Sequence, residues 1–92
     1  MNSKVLTYEF VKEVVVEYLR ERVLKERGSV FTVKTKYVRQ FARKHFKINI
    51  SPMYITPILL NDFHEAVVGV GKLNGCTTIR YDKEKLLSNL VK

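Results

Sequence analysis

Apolar residues recur every three or four positions in the first third of the chain, which is the spacing of one helix face. Thr7 can cap the first turn of such a helix, and Gly28 follows a basic last turn as a stop signal. The pattern therefore predicts a helix over residues 7–27. Its main apolar face consists of Tyr8, Val11, Val15, Tyr18, Leu19 and Val23.

A short β-branched run and a second helical pattern come next. Residues 29–33 predict a short strand or an extended link. Thr35 can cap a second helix over residues 35–46. The positions expected on the inner side of this helix are Val38, Phe41, Ala42 and His45.

A third helix is predicted over residues 51–64, because Ser51 is a good cap and Pro52 suits the first helical position. Pro57 removes a backbone donor inside this helix, so we expect a kink or a tightened first turn there. The side chains expected on its buried side are Ile55, Ile58, Leu59 and Phe63.

The last part of the chain has the pattern of a hairpin followed by a helix. The Asn74–Gly75 pair separates two β-rich runs, and both residues tolerate positive φ, which makes the pair a strong hairpin signal. A hairpin is therefore predicted over residues 66–81, and Asp82 can cap a final helix over residues 83–91. Together these elements predict one mainly helical α+β domain over residues 1–92.

Positive charge is concentrated in the middle of the chain. The net charge is +8, and residues 29–50 hold six Lys or Arg and no Asp or Glu. Residues 1–28 sum to +1, residues 51–71 to −2 and residues 72–92 to +3. Such uneven placement predicts a face built to meet a polyanion, of which nucleic acid is the most common. The six cations are Lys34, Lys36, Arg39, Arg43, Lys44 and Lys47.

No residue pattern in the sequence predicts catalysis, a metal site or a cofactor. Cys76 is the single cysteine, and nothing in the sequence supplies the activating base that a nucleophilic thiol needs. His45 and His64 lie far apart with no cysteine pair near them, which argues against a metal site. The Gly-Val-Gly-Lys string at residues 69–72 lacks the spacing and the Ser or Thr of a phosphate-binding loop. We therefore expect a protein that is not an enzyme.

Membrane and secreted classes are not expected either. No apolar run approaches the ~20 residues that a membrane span needs. The first ten residues lack the features of a signal peptide, and a single cysteine fits a reducing compartment. The expected location is the cytoplasm, in association with the nucleoid.

The predicted order is helix, short strand, helix, turn, helix, hairpin, helix. With the basic second helix and the Asn-Gly hairpin, this order resembles the winged helix-turn-helix family of DNA-binding domains. The resemblance covers about residues 7–91 and is greatest to the small regulators of archaea, their plasmids and viruses. It implies a winged helix-turn-helix fold with double-stranded DNA as the partner.

The resemblance also implies roles for individual residues. The recognition helix, which enters the major groove in this family, would be the helix over residues 51–64. Its contacts to bases or phosphates would come from Ser51, Met53, Tyr54, Thr56 and Asn61. The preceding helix would place near the DNA backbone Lys36, Arg39, Arg43 and Lys44. The wing would reach the minor groove or flanking phosphates with Lys72, Asn74 and Arg80.

The predicted recognition helix departs from the family in its charge. It contains no Lys or Arg and includes Asp62 and Glu65, so it cannot supply the bidentate Arg contact that most often reads guanine. Sequence preference would come from Tyr54, Thr56 and methyl contacts by Met53, or from DNA shape. The same departure leaves open a winged helix that binds protein.

A homodimer is predicted from the length and hydrophobicity of the first helix. A helix of about twenty residues spans ~30 Å, which is longer than a domain of this size can cover. Its apolar positions also extend beyond one stripe, and the last helix offers a second apolar patch. A two-fold pair would bury both. The expected interface residues are Phe10, Val14, Leu86, Leu87 and Leu90.

The main functional prediction is a dimeric transcriptional regulator that binds duplex DNA at an inverted repeat. A protein that binds a plasmid or chromosome partition site would need the same surface. An RNA-binding domain and a winged helix that binds protein are the remaining alternatives. A helix does not fit the narrow major groove of duplex RNA, so competition between the two duplexes separates DNA from RNA binding.

Overall fold

The computed structural model of the protein describes residues 7–91, which form an α+β fold. Four helices surround one face of a three-stranded antiparallel sheet. A π-helical turn (Ile58–Asp62) and a short 3-10 turn (His64–Ala66) lie between the third helix and the second strand. The elements are α1 (Tyr8–Val23), β1 (Val30–Lys34), α2 (Thr35–Phe46), α3 (Pro52–Pro57), β2 (Val67–Leu73), β3 (Cys76–Asp82) and α4 (Lys83–Leu90).

The sheet has the strand order β1-β3-β2, so the hairpin strand β3 lies in the centre. The hairpin prediction is confirmed, because Asn74 and Gly75 adopt φ of 54° and 78° at its turn. Both values lie in the left-handed region that a type I′ turn requires. The register between β2 and β3 shifts once, between Val67 and Gly69.

The core lies between the inner face of the sheet and the helices. Four side chains are almost fully enclosed and alternate with more exposed neighbours: Phe31 and Val33 of β1 and Ile79 and Tyr81 of β3. The Tyr81 hydroxyl donates to the Leu59 carbonyl at 2.6 Å. This bond joins the centre of the sheet to the π turn. The remaining core residues come from all four helices and from the irregular segments before and after α3.

The first helix is shorter than predicted and ends at Val23 rather than at residue 27. Val23 is the last buried position of the helix, so packing does not hold the residues that follow it in helical form. The backbone tightens there, because the Lys25 N–H donates to the Arg22 carbonyl three residues earlier at 3.1 Å. The predicted Thr7 cap is confirmed, since its side chain accepts from the Phe10 N–H at 3.1 Å.

The third helix is also shorter than the predicted span 51–64. Ser51 caps it as predicted, but the regular α-helix ends at Pro57 and a π turn follows. Proline has no N–H to bond the carbonyl four residues earlier, so the regular ladder is interrupted. The expected tightening of the first turn is confirmed, because the Tyr54 N–H donates to the Ser51 carbonyl three residues earlier at 3.0 Å. The wide turn after Pro57 was not predicted.

Three other local predictions need correction. Thr35 does not cap α2: Lys34 holds the cap position without a side-chain bond, and Thr35 is buried in the first turn. His45 is exposed rather than inside, with its ring 4.4 Å from the ring of Phe41. Tyr8 is exposed too, and its hydroxyl donates to the carboxylate of Asp62.

Three of the five residues predicted to form a dimer interface belong to the core of one chain. Val14 and Leu86 are fully enclosed, and Leu90 is almost so. Phe10 and Leu87 are partly buried against the same core. Val14, Leu86 and Leu90 cannot meet a second copy unless the fold opens, so their assignment to the interface was wrong, whereas Phe10 and Leu87 keep part of their surface exposed and stay predicted. Dimerisation itself stays a prediction.

Within residues 7–91, no helix has both the length and the apolar character that crossing a membrane requires.

Candidate nucleic-acid interface

Helix α2 presents a basic ridge next to the start of α3. Lys36, Arg39 and Arg43 lie on one exposed side of the helix, because they are spaced three and four residues apart. Together with Gln40, Asn49 and Ile50 they line a shallow groove of about 130 Å³. The Arg39 Nε donates to the Ile50 carbonyl at 3.1 Å, which fixes the ridge against the link into α3.

An aromatic ring lies among the lysines at the beginning of α2. The Lys34 and Lys36 ammonium groups are 5.5 and 5.7 Å from the centre of the Tyr37 ring, within cation–π range. Tyr37 is 41% exposed. Sequence reasoning missed this residue, although an aromatic side chain directly beside two lysines is a pattern that could have indicated it.

The outer face of the sheet forms a second basic surface. Lys34, Lys72 and Arg80 line an open groove of about 440 Å³ together with Thr32 and Thr78. Lys34 is therefore the residue that joins this surface to the start of α2. The three cations come from three different strands. The register aligns Lys34 with Thr78 and Thr32 with Arg80, whereas Lys72 on the edge strand pairs with Thr77.

The exposed side of α3 faces a different environment. Met53, Tyr54 and Asn61 line a mainly apolar groove of about 340 Å³ together with Tyr8 and Pro57. Met53 and Tyr54 are more than half exposed. The predicted base contacts Met53, Tyr54 and Asn61 therefore share a groove with α1, and that groove contains no Lys or Arg.

The other predicted DNA contacts are distributed around these surfaces. Ser51 is exposed at the start of α3, and Thr56 is half-buried within it. Lys44 lines a groove between α1 and α2, and Lys47 ends α2 with φ of 58°. Asn74 is exposed at the tip of the hairpin.

The cations of the basic run have no carboxylate partners in the part of the chain that the structure describes. The two ion pairs found there are Lys12–Asp62 at 3.7 Å and Lys25–Glu21 at 4.0 Å. Both pairs involve α1 rather than residues 29–50. The charge of the run is therefore not neutralised within the fold and is free to meet a polyanion.

Cys76 lies beside the first turn of α2. Its sulfur is 3.8 Å from the Thr35 hydroxyl. Burial by itself would raise the pKa of the Cys76 thiol, but hydrogen bonds from the Lys36 backbone and the Thr35 side chain, with the charges of Lys36 and Lys34, lower it overall. No cluster of three or more His, Cys, Asp or Glu that could hold a metal ion occurs among residues 7–91.

Comparison of the chain with protein-family models, with curated proteins and with solved structures finds no match. The functional argument therefore depends on the geometry and the charge of the surfaces described above.

Proposed function

We propose that the chain is a winged helix-turn-helix protein that binds duplex DNA. The order of helices and strands and the hairpin after α3 support this architecture. The observation that supports DNA binding most directly is the bond from Arg39 to the Ile50 carbonyl, which holds the ridge against the start of α3. Among the described residues, the cations of this ridge have no carboxylate partner. A phosphate backbone running along α2 would meet this ridge at the point where α3 enters a groove.

Phosphate contacts supply most of the affinity in this proposal. The ridge of Lys36, Arg39 and Arg43 and the exposed Lys44 and Lys47 offer cations without carboxylate competitors. Each phosphate that they neutralise releases counterions from the DNA. Binding should therefore be strong at low salt and weaken steeply as salt rises.

Fewer groups in this molecule could give sequence preference than could bind phosphate. The base contacts that we propose come from Ser51, Thr56 and the exposed parts of Met53 and Tyr54, none of which reads guanine as arginine does. We therefore propose a modest preference that depends partly on DNA shape. Regulation of transcription and partition of a replicon use the same surface, and a dimer on an inverted repeat remains part of the proposal.

A second candidate function is the binding of another protein. The exposed apolar groove of Tyr8, Met53 and Tyr54 favours it, because exposed apolar grooves commonly mark interaction sites. In that case α3 would bind a partner, and DNA binding would lack sequence preference.

The test of DNA binding is a salt titration of affinity for a labelled random duplex of about three helical turns. We expect the logarithm of affinity to fall linearly with the logarithm of salt, and Arg43→Ala to reduce the slope by about 0.9. Arg27→Ala is the matched control, since it removes the same charge from an exposed residue outside the basic run. A flat salt response, or equal effects of the two substitutions, would contradict the proposal.

The two candidate functions differ in the role of α3. If α3 reads DNA, Tyr54→Ala and Thr56→Ala should narrow the affinity gap between a selected site and random DNA, while Arg43→Ala weakens both equally. If α3 binds protein, no selected site will emerge from random DNA. Competition with duplex RNA separates the remaining alternative, because a helix that enters the major groove of DNA does not fit the narrow major groove of duplex RNA. Duplex RNA should therefore compete poorly if α3 binds DNA.

A further inference from the structure

The outer face of the sheet has an unusual composition in its two central rows. The register places Thr32, Arg80 and Gly69 side by side across the three strands. The next row consists of Lys34, Thr78 and Gly71. The face therefore carries Lys34 on β1 and Arg80 on β3, and it has no side chain at these two positions of β2.

Arg80 occupies the space that a side chain at residue 69 would fill. A Cβ built on Gly69 would lie 2.5 Å from the Arg80 Nη2 and 2.9 Å from its Nε. The guanidinium therefore lies directly against the backbone of β2. A Cβ built on Gly71 would meet nothing within 4 Å. The glycine at 69, unlike the glycine at 71, is required for the observed position of the arginine.

The groove beside this guanidinium is positively charged and open. Lys34, Lys72 and Arg80 line it, and no carboxylate does. Asp82 at the end of β3 is engaged as the cap of α4, where it accepts from the Lys85 N–H at 3.1 Å. The Thr78 hydroxyl is enclosed and has no hydrogen-bond partner among the described residues.

This set of groups matches a phosphate rather than a base. The groove has no aromatic ring among its lining residues, so it offers no platform for base stacking. A guanidinium fork binds phosphate oxygens in pairs, and lysines add point charges around them. The groove is wide open beside Gly71, where even an added Cβ would meet nothing within 4 Å.

We infer that the outer face of the sheet is a phosphate-binding groove in which Arg80 is the principal ligand and Gly69 is the residue that positions it. In the bound complex the phosphate belongs to the DNA backbone, so the inference rests on the proposed DNA binding. The groove adds a contact on the sheet that is separate from the ridge on α2.

The test compares Gly69→Ala with Gly71→Ala. Both changes add one methyl group to β2, and neither glycine has a positive φ, but only the methyl at 69 displaces the guanidinium. We expect Gly69→Ala to weaken binding of duplex DNA about tenfold and to reduce the salt slope by about 0.9, while Gly71→Ala stays within about twofold of the parent. Equal binding by the two variants would overturn the inference.

A double-mutant cycle with Arg80→Gln separates positioning from general disturbance of the sheet. Arg80→Gln should weaken binding as much as Gly69→Ala, and the double variant should lose nothing further, because both changes remove one contact. Additive losses would show that Gly69 acts otherwise than through Arg80 and would overturn its positioning role. If Gly69→Ala does not fold, Arg80→Gln decides alone, and DNA binding equal to that of the parent would overturn the inference.

A titration with pyrophosphate tests the groove in the absence of DNA. It therefore distinguishes failure of the groove as a phosphate site from failure of the proposed DNA binding. Pyrophosphate should shift the amide NMR signals of Gly69, Gly71 and Thr78 in the parent and not in Arg80→Gln. If the parent binds no duplex DNA, the proposed function fails, and these shifts would assign the groove to a free phosphate compound. No shift together with no effect of Arg80→Gln on DNA binding would refute the groove as a phosphate site.

Discussion

At the scale of single residues, Tyr81 connects the sheet to the irregular segment after α3. Its ring is fully enclosed, and its hydroxyl donates to the Leu59 carbonyl in the π turn. Tyr81→Phe keeps the ring and removes the donor, so we expect a loss of about 1 to 2 kcal/mol in the free energy of unfolding. Urea denaturation at neutral pH measures it. Tyr37→Phe is the control, because that side chain is exposed and should change stability little.

The same substitution has a pH signature. Burial raises the pKa of Tyr81 in the folded state, so the folded protein keeps its phenol proton above about pH 10, where the unfolded chain loses it. The unfolded state then binds fewer protons, and stability falls as pH rises through this range. Tyr81→Phe lacks this contribution, so its stability should decrease less steeply than that of the parent. Parallel curves above about pH 10 would contradict the buried, protonated state of Tyr81.

Single residues also show where the sequence stops being informative for the candidate site. The basic run identified Arg39 and Arg43 without a structure, because charge imbalance is visible in the sequence. Gly69 was not predicted as part of a site, since its role depends on the strand register that brings it opposite Arg80. Val14 was misassigned because a wide apolar helix face can be covered by the core of its own chain as well as by a second copy.

At the scale of elements, the sequence predicted the order of helices and strands better than their lengths. The caps at Thr7, Ser51 and Asp82 were predictable, because each is a short polar side chain before a helical pattern. The end of α1 was not, since Leu24 continues the helical pattern but lacks a partner to pack against. The π turn after Pro57 was missed because proline indicates only that the ladder is interrupted and not how the backbone continues.

The hairpin turn allows a direct test of backbone conformation in the wing. Gly75 adopts φ of 78°, and a Cβ there would meet nothing within 4 Å, so any cost of an added methyl comes from the backbone alone. We expect Gly75→Ala to destabilise the fold by about 1 kcal/mol, because the left-handed region is unfavourable for alanine. Thermal denaturation compared with Gly71→Ala measures it. Equal melting of the two variants would argue against the type I′ turn.

At the scale of the whole molecule, the exposed groups divide into surfaces of different chemistry. The ridge on α2 and the groove on the sheet are basic and are joined at Lys34. The groove between α1 and α3 is mainly apolar and is lined by Tyr8, Met53 and Tyr54. Under the proposed function, phosphate binding would belong to α2 and the sheet, whereas α3 would contribute shape and apolar contacts. This division explains why a basic protein can have a third helix without Lys or Arg.

The assignment of Val14 to the core makes an opposite prediction from a dimer interface at the same residue. Val14 is 0% exposed within one chain, so Val14→Asp would bury a carboxylate without a partner and should cost about 4 kcal/mol or more. That is a large part of the stability of a small domain, so we expect an unfolded protein rather than a folded monomer. Val91→Asp is the control, because Val91 is 81% exposed and the change in charge is the same.

Circular dichroism reports folding, and sedimentation equilibrium at micromolar concentration reports the oligomeric state of the parent and both variants. A folded, monomeric Val14→Asp protein beside a dimeric parent would return Val14 to the interface. A dimeric parent with an unfolded Val14→Asp variant would require another exposed surface for the pair, and the groove at Tyr8, Met53 and Tyr54 is the first that substitution should then test.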